Sequence, residues 1–240
     1  DLKRAADAWG MAMLSAGFYN RCINKLALLS LRGNELYKAK EYLDHAAGAG
    51  INTRQLKLTR LVWARKAGYD SLFTAIYKDI TDLDPLNHFA RFENYLLNKN
   101  DSLKSEFTRY IRNEFSVQTY LEMACRYINL EMFDEAYSLL ELSPADPLVS
   151  LYLAYLADKQ GEDNLSDQHL DTLLLSGIDF VFPFRAETEN ILNWAAGRTG
   201  SWKMNYYRAL IYWNAGDMEK AHHFFSLDSN EPDAWQYYIA

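Results

Sequence analysis

The chain has 240 residues, with 25 basic against 32 acidic side chains and a formal net charge of −7. That balance argues against a nucleic-acid binder, which needs clustered Lys and Arg, and no apolar run is long enough to span a bilayer. Hydrophobic residues at 49%, only five prolines and eleven glycines exclude a disordered or turn-rich chain, while 17 tyrosines require large flat side chains to be buried or displayed in number.

In chain order, the opening "DLKRAADAWG" reads as the inside of a helix, and the closing "DAWQYYIA" also stops in mid-pattern. Both ends therefore read as cut points in a longer protein, and the chain offers no targeting signal from which to read a compartment. The stretch "LLSLRGNELYKAKEYLDHAAG" predicts a helix, a turn at Gly33 and a second helix through Ala39 and Tyr42. "LVWARKAGYDSLFTAIYKDITDLDP" repeats this with a turn at Gly68 and a stop at Asp84-Pro85. "LNHFARFENYLLNKNDSLKSEFTRYI" offers Ala90, a polar turn near Asn100 and then Phe107.

From residue 116 the spacing sharpens. Ala124 is followed twelve residues later by Ala136, with Tyr127 nine before the second alanine and Leu140 four after it. Ala209, Tyr212, Ala221 and Phe225 repeat that spacing, and Ala154, Ser166 and Leu170 give a copy in between, with "QGED" as its turn. Small residues belong where two antiparallel helices cross, because bulk there would hold them apart. Between Leu175 and Trp202 the phase breaks. Residues 177–183 read as an extended apolar connection, with Pro183 suited to a helix first turn and an extra helix reaching about Ala196. No β structure is expected outside that connection.

The spacing resembles the tetratricopeptide repeat, W-x₂-L-G-x₂-Y followed by A-x₃-F and P. The likeness is specific over 116–144 and 203–227, and one step of 30 residues, Ala124 to Ala154, is slightly short of the usual 34. "LDPLNHFARFE", "FPFRAETENILNWA" and "NYYRALIYWNAGDMEKA" are also similar to the repeat region of large bacterial proteins with a β-rich N-terminal domain ahead of a helical array. The resemblance implies an all-α, right-handed solenoid of antiparallel hairpins. It implies about fourteen helices in a single repeat domain over 1–240, with 176–200 as an irregular insertion. It also implies an interaction scaffold, near glycan metabolism in those bacterial proteins, and carries over no catalytic residue.

The chemistry-bearing residues agree with that absence. None of His45, His88, His169, His222 and His223 has HExxH or Cys–His ligand spacing. His222 and His223 are adjacent, so on a helix they diverge by about 100°. "GAG" at 48–50 lacks the Lys-Ser/Thr of a phosphate loop, and no GxSxG elbow occurs. Asp134, Glu135, Asp217 and Glu219 fall at the starts of second helices, where carboxylates favour the positive end of the helix dipole. Cys22 and Cys125 sit in apolar helical runs and read as buried free thiols. No cofactor and no metal is expected.

In a solenoid of this kind the concave face is lined by first-helix residues. They are located three and two before, and one after, the small residue of each first helix. That rule selects Asn87, His88 and Arg91 around Ala90; Leu121, Glu122 and Cys125 around Ala124; Leu151, Tyr152 and Tyr155 around Ala154; and Tyr206, Tyr207 and Leu210 around Ala209. Glu122 speaks against a clamp for a chaperone's terminal carboxylate. The expected partner site is therefore Tyr152, Tyr155 and Tyr206, with Asn87, His88 and Arg91 at a polar end, all exposed. Tyr120, Tyr127 and Tyr212 are expected to be core. The expected function is non-catalytic binding of a protein, a peptide or another domain of the same chain. The alternative is carbohydrate binding or processing in an aromatic groove. A hydrolase would place two carboxylates roughly 5–9.5 Å apart in a pocket.

Overall fold

The computed structural model describes residues 2–15, 17–112 and 115–227. They are all-α, with fourteen helices and no strand among the described residues. Two compact units form, one from Asp1–Glu114 with Arg126–Met132, the other from Phe115–Cys125 with Phe133–Ala240.

The first unit holds α1 (Leu2–Ala12) and three hairpins: α2 (Tyr19–Arg32) with α3 (Leu36–Gly48), α4 (Arg54–Lys66) with α5 (Asp70–Leu83), and α6 (His88–Asn98) with α7 (Asp101–Tyr110). Each hairpin closes on itself, and the first helices also pack in series, α2 on α4 and α4 on α6. A hairpin cannot bury its apolar face alone, so the next hairpin covers it. Helix α8 (Ser116–Asn129) contributes its last turn to this unit and its earlier turns to the second.

The second unit continues with α9 (Phe133–Leu140), α10 (Pro147–Lys159), α11 (Asp163–Leu175), α12 (Ala186–Thr199), α13 (Trp202–Asn214) and α14 (Met218–Ser226). Here α10 pairs with α11 and α13 with α14, while α12 packs against both α10 and α13. The expected extra helix is thus present. Pro183 does not open it: Arg185 is the N-cap and Ala186 the first helical residue. Ile178 and Val181 of the preceding connection are buried, and Phe180, Phe182 and Phe184 face solvent.

One turn geometry recurs. Asn34, Gly68, Glu131, Gly161 and Gly216 have φ between 55° and 79°. In each case the next residue's N–H donates to the carbonyl five residues back, from Glu35 to Ser30, Tyr69 to Ala64, Met132 to Tyr127, Glu162 to Ala157 and Asp217 to Tyr212, at 2.7–2.9 Å. This satisfies an end carbonyl of the first helix and sets the reversal. Lys99, at φ 45°, ends α6 in the same left-handed region.

Counting seven residues back from each of these six positions gives Ala27, Leu61, Phe92, Ala124, Ala154 and Ala209, and every one is fully buried. Twelve residues on from Ala27, Ala124, Ala154 and Ala209 stand Ala39, Ala136, Ser166 and Ala221, also buried. The repeat phase expected for the second half holds. In α6 the register residue is Phe92, not Ala90. Among the described residues, no helix is long and apolar enough to cross a membrane.

Candidate functional site

The first-helix side of the first unit carries an open cleft of about 570 Å³. Its walls come from the first helices: Lys25, Leu28, Leu29 and Arg32 of α2, Leu58, Thr59 and Val62 of α4, and Phe89 of α6. Trp9 of α1 closes one side, and Gln55, Arg126, Asn129 and Leu130 complete the rim. That volume is in the range of ligand pockets, roughly 300–1,000 Å³. Three of the lining residues are basic and none is acidic.

Local packing fixes the floor. Val62 and Leu58 are 2% and 5% exposed, while Leu28 and Leu29 remain half-buried and Lys25, Arg32, Gln55 and Asn129 are exposed. Thr59 and Asn24 tie α4 to α2, the hydroxyl lying 2.8 Å from Asn24 Oδ1. Phe89 stacks on Tyr127 at 5.1 Å between centroids, and the Arg126 guanidinium lies 5.6 Å from the Phe89 ring. Beneath them is a buried charged cluster. Glu93, fully buried, accepts from Arg65 Nε at 2.7 Å and from the Tyr127 hydroxyl at 2.5 Å. A buried carboxylate requires such partners.

The residues selected from sequence fall elsewhere. Asn87 is buried as the N-cap of α6: its Oδ1 accepts from the Ala90 N–H at 3.0 Å and its amide donates to Asp84. Arg91 points toward α7, donating to the Pro85 carbonyl and to Glu106 and stacking 4.0 Å from the Tyr110 ring. His88 beside it is half-buried, and burial lowers its pKa. These residues do not line the cleft, because the phase around Ala90 is two residues off.

The tyrosines are corrected for a different reason. The phase of Tyr152 and Tyr155 is right, but α12 lies against α10, while Tyr206 packs along its own helix and against α14. Tyr152 is fully buried, with its hydroxyl 2.6 Å from Thr188 Oγ1 of α12 and 3.5 Å from Cys125 Sγ. Tyr155 is half-buried, edge-on to Trp194 of α12 at 5.5 Å. Arg198 of α12 fastens the contact by donating to Asp158 at 2.7 Å and Asp167 at 2.8 Å. Tyr206 is 3% exposed, packed among Trp202, Tyr207 and Phe225. Tyr120 and Tyr127 are core as expected, but Tyr212 is half-buried, stacked on Phe224 with its hydroxyl donating to Glu189.

Both cysteines are buried, and burial pushes the Cys125 thiol up to about 11, which disfavours a nucleophilic thiolate. His222 and His223 are exposed on α14, with the His223 ring edge-on to Phe224. The acidic residues stand at second-helix starts as expected: Asp134 and Glu135 lie in the first turn of α9, Glu219 in that of α14, and Asp217 caps α14 by accepting from the Lys220 N–H.

The α2 wall of the cleft was within reach of the same offset rule, and the turn positions seen in the structure extend the rule to α4 and α6. Applied to Ala27 it selects Asn24, Lys25 and Leu28, the last two in the cleft; applied to Leu61 it selects Leu58, Thr59 and Val62, all in the cleft; and applied to Phe92 it selects Phe89 in the cleft with Ala90 and Glu93 buried. The signal was the spacing from Ala27 to Ala39 across the Gly33 turn.

The fold and cleft define an all-helical protein of sequential hairpins with a basic-rimmed apolar trough on its first-helix face. No protein-family model matches the chain, and no curated protein matches it.

Proposed function

We propose that the chain is a non-catalytic interaction scaffold built on tetratricopeptide-like repeats, and that its first unit holds a protein or peptide partner in the cleft of α2, α4 and α6. The observation that carries this reading is the cleft itself: equivalent positions of successive first helices present an apolar floor under a polar rim. Extended segments bind such surfaces by seating alternate side chains on the floor while the rim orients them. A hydrolase would need facing carboxylates, and none lines this cleft. A sugar site built on Tyr152 and Tyr206 would have no exposed ring to stack against.

Position-specific photocrosslinking in the native protein tests the reading. A crosslinking amino acid at Gln55, exposed on the rim, should capture a partner. The same group at Tyr37, 76% exposed on α3 and outside the cleft, should not. Equal capture at both positions, or none at Gln55, overturns it.

A further inference from the structure

We infer that the cleft takes a protein segment carrying carboxylates beside apolar side chains, and that Glu131 is the internal carboxylate this segment displaces from Arg32. The inference rests on the reading of the cleft as a partner site. Its first support is charge. Lys25, Arg32 and Arg126 line the cleft without one acidic residue, in a chain with more acidic than basic side chains. Lys25 and Arg32 stand two turns apart on α2, with Leu28 and Leu29 between them. A carboxylate-bearing segment with apolar side chains satisfies both kinds of surface at once. A basic segment would be repelled by the net positive lining. The cations stand on α2 and α8 and none on the α4 wall, so a chain lying across α4 meets charge on both sides of an apolar middle.

The second support is Glu131. Three of the equivalent turn positions are glycines, Gly68, Gly161 and Gly216, and Asn34 fills another. Glutamate adopts φ 56° there, a conformation that side chains beyond glycine and asparagine disfavour. Its carboxylate accepts from Arg32 Nε at 3.0 Å and Nη2 at 2.7 Å, both through the single oxygen Oε1. The two side chains are 39% and 45% exposed, so water competes for the pair. An incoming carboxylate can meet the guanidinium fork with both oxygens, a better arrangement than the resident one. Glu131 thereby keeps the arginine occupied and oriented until a ligand takes its place.

The probe is a short fluorescein-labelled peptide of alternating glutamate and leucine, followed by anisotropy on the intact protein. Its controls replace glutamate by lysine, or leucine by serine. The glutamate–leucine peptide should bind, weaken as salt rises, and outbind both controls. Arg32→Glu and Lys25→Glu should each weaken it by about tenfold or more. Glu131→Gln should strengthen it by about twofold to fivefold, the factor an exposed ion pair is worth. Circular dichroism on each variant confirms the helical fold. Absence of binding, equal binding by the serine control, or indifference to Arg32→Glu overturns the inference. So does a heparin-derived oligosaccharide that binds where the peptide does not. An unchanged affinity in Glu131→Gln overturns the displacement. A neutral or basic partner segment crosslinked at Gln55 would overturn the acidic ligand yet leave the cleft as the partner site; no crosslink there removes both.

Discussion

The first-helix faces of the two units differ in what lies over them. In the first unit the face of α2 and α4 opens into a cleft, with Leu28 and Leu29 half-buried and Lys25 exposed. In the second unit the corresponding face of α10 is occupied by α12, and Tyr152 is fully buried. Position in a repeat fixes the direction of a side chain. Whether that direction is surface depends on what the chain inserts next.

The largest effect that could break this comparison comes from truncating one first-helix residue on each face. Tyr152→Ala should cost about 3–5 kcal/mol, because it removes a fully buried ring and leaves a cavity beside α12. Leu28→Ala on the open face should cost about 1 kcal/mol, since part of that side chain is already wet. Urea denaturation of the two variants measures the difference. Equal losses would mean that α12 does not cover α10.

The buried polar clusters sharpen the contrast at the next level. The first unit's is charged, Arg65 on Glu93 with Tyr127; the second's is neutral, Tyr152 with Thr188 and Cys125. Arg65→Met should cost about 3–5 kcal/mol, because it strands a fully buried carboxylate. Thr188→Val should cost only about 1 kcal/mol, since the Tyr152 hydroxyl keeps Cys125 within reach. A Thr188→Val loss as large as that of Arg65→Met would show that charge is not what separates the clusters.

These residues also show how far the sequence could be read. The pairs Ala124–Ala136 and Ala209–Ala221 were legible because a small side chain at a helix crossing is demanded by sterics and repeats at fixed spacing. The α6 register was not, because its turn uses Lys99 at φ 45°, where a glycine would have marked the reversal. Ala90 then drew attention to Asn87 and Arg91 on the wrong faces. The burial of Tyr152 was not legible either. The extra helix was expected from "AETENILNWAAG", but nothing local states that Thr188 and Trp194 dock on α10. Ala27, by contrast, carried the same spacing as the later copies, and with it the α2 wall of the cleft. The closing "DAWQYYIA", which reads as stopping in mid-pattern, lies outside the described residues.

The smallest expected effect is the dependence of stability on pH, and each unit supplies one group to test it. Burial lowers the pKa of His88 in the first unit, helped by the charge of Arg91. Burial likewise lowers that of His169 in the second, where Nε2 lies 3.1 Å from the Tyr137 hydroxyl. Both therefore hold protons less well folded than unfolded, where the ordinary value is 6.5. Below that value the unfolded state binds more protons, so stability rises with pH through the window and is lost as pH falls through it. Melting temperature should decline modestly from about pH 7 to about pH 5. His169→Asn and His88→Asn should each remove part of the slope, and the double variant more than either. The two sites lie in separate units and share no partner, so their contributions should add. A double variant that declines as steeply as the parent would assign the slope to carboxylates, and burial of these two rings would then carry no measurable proton linkage.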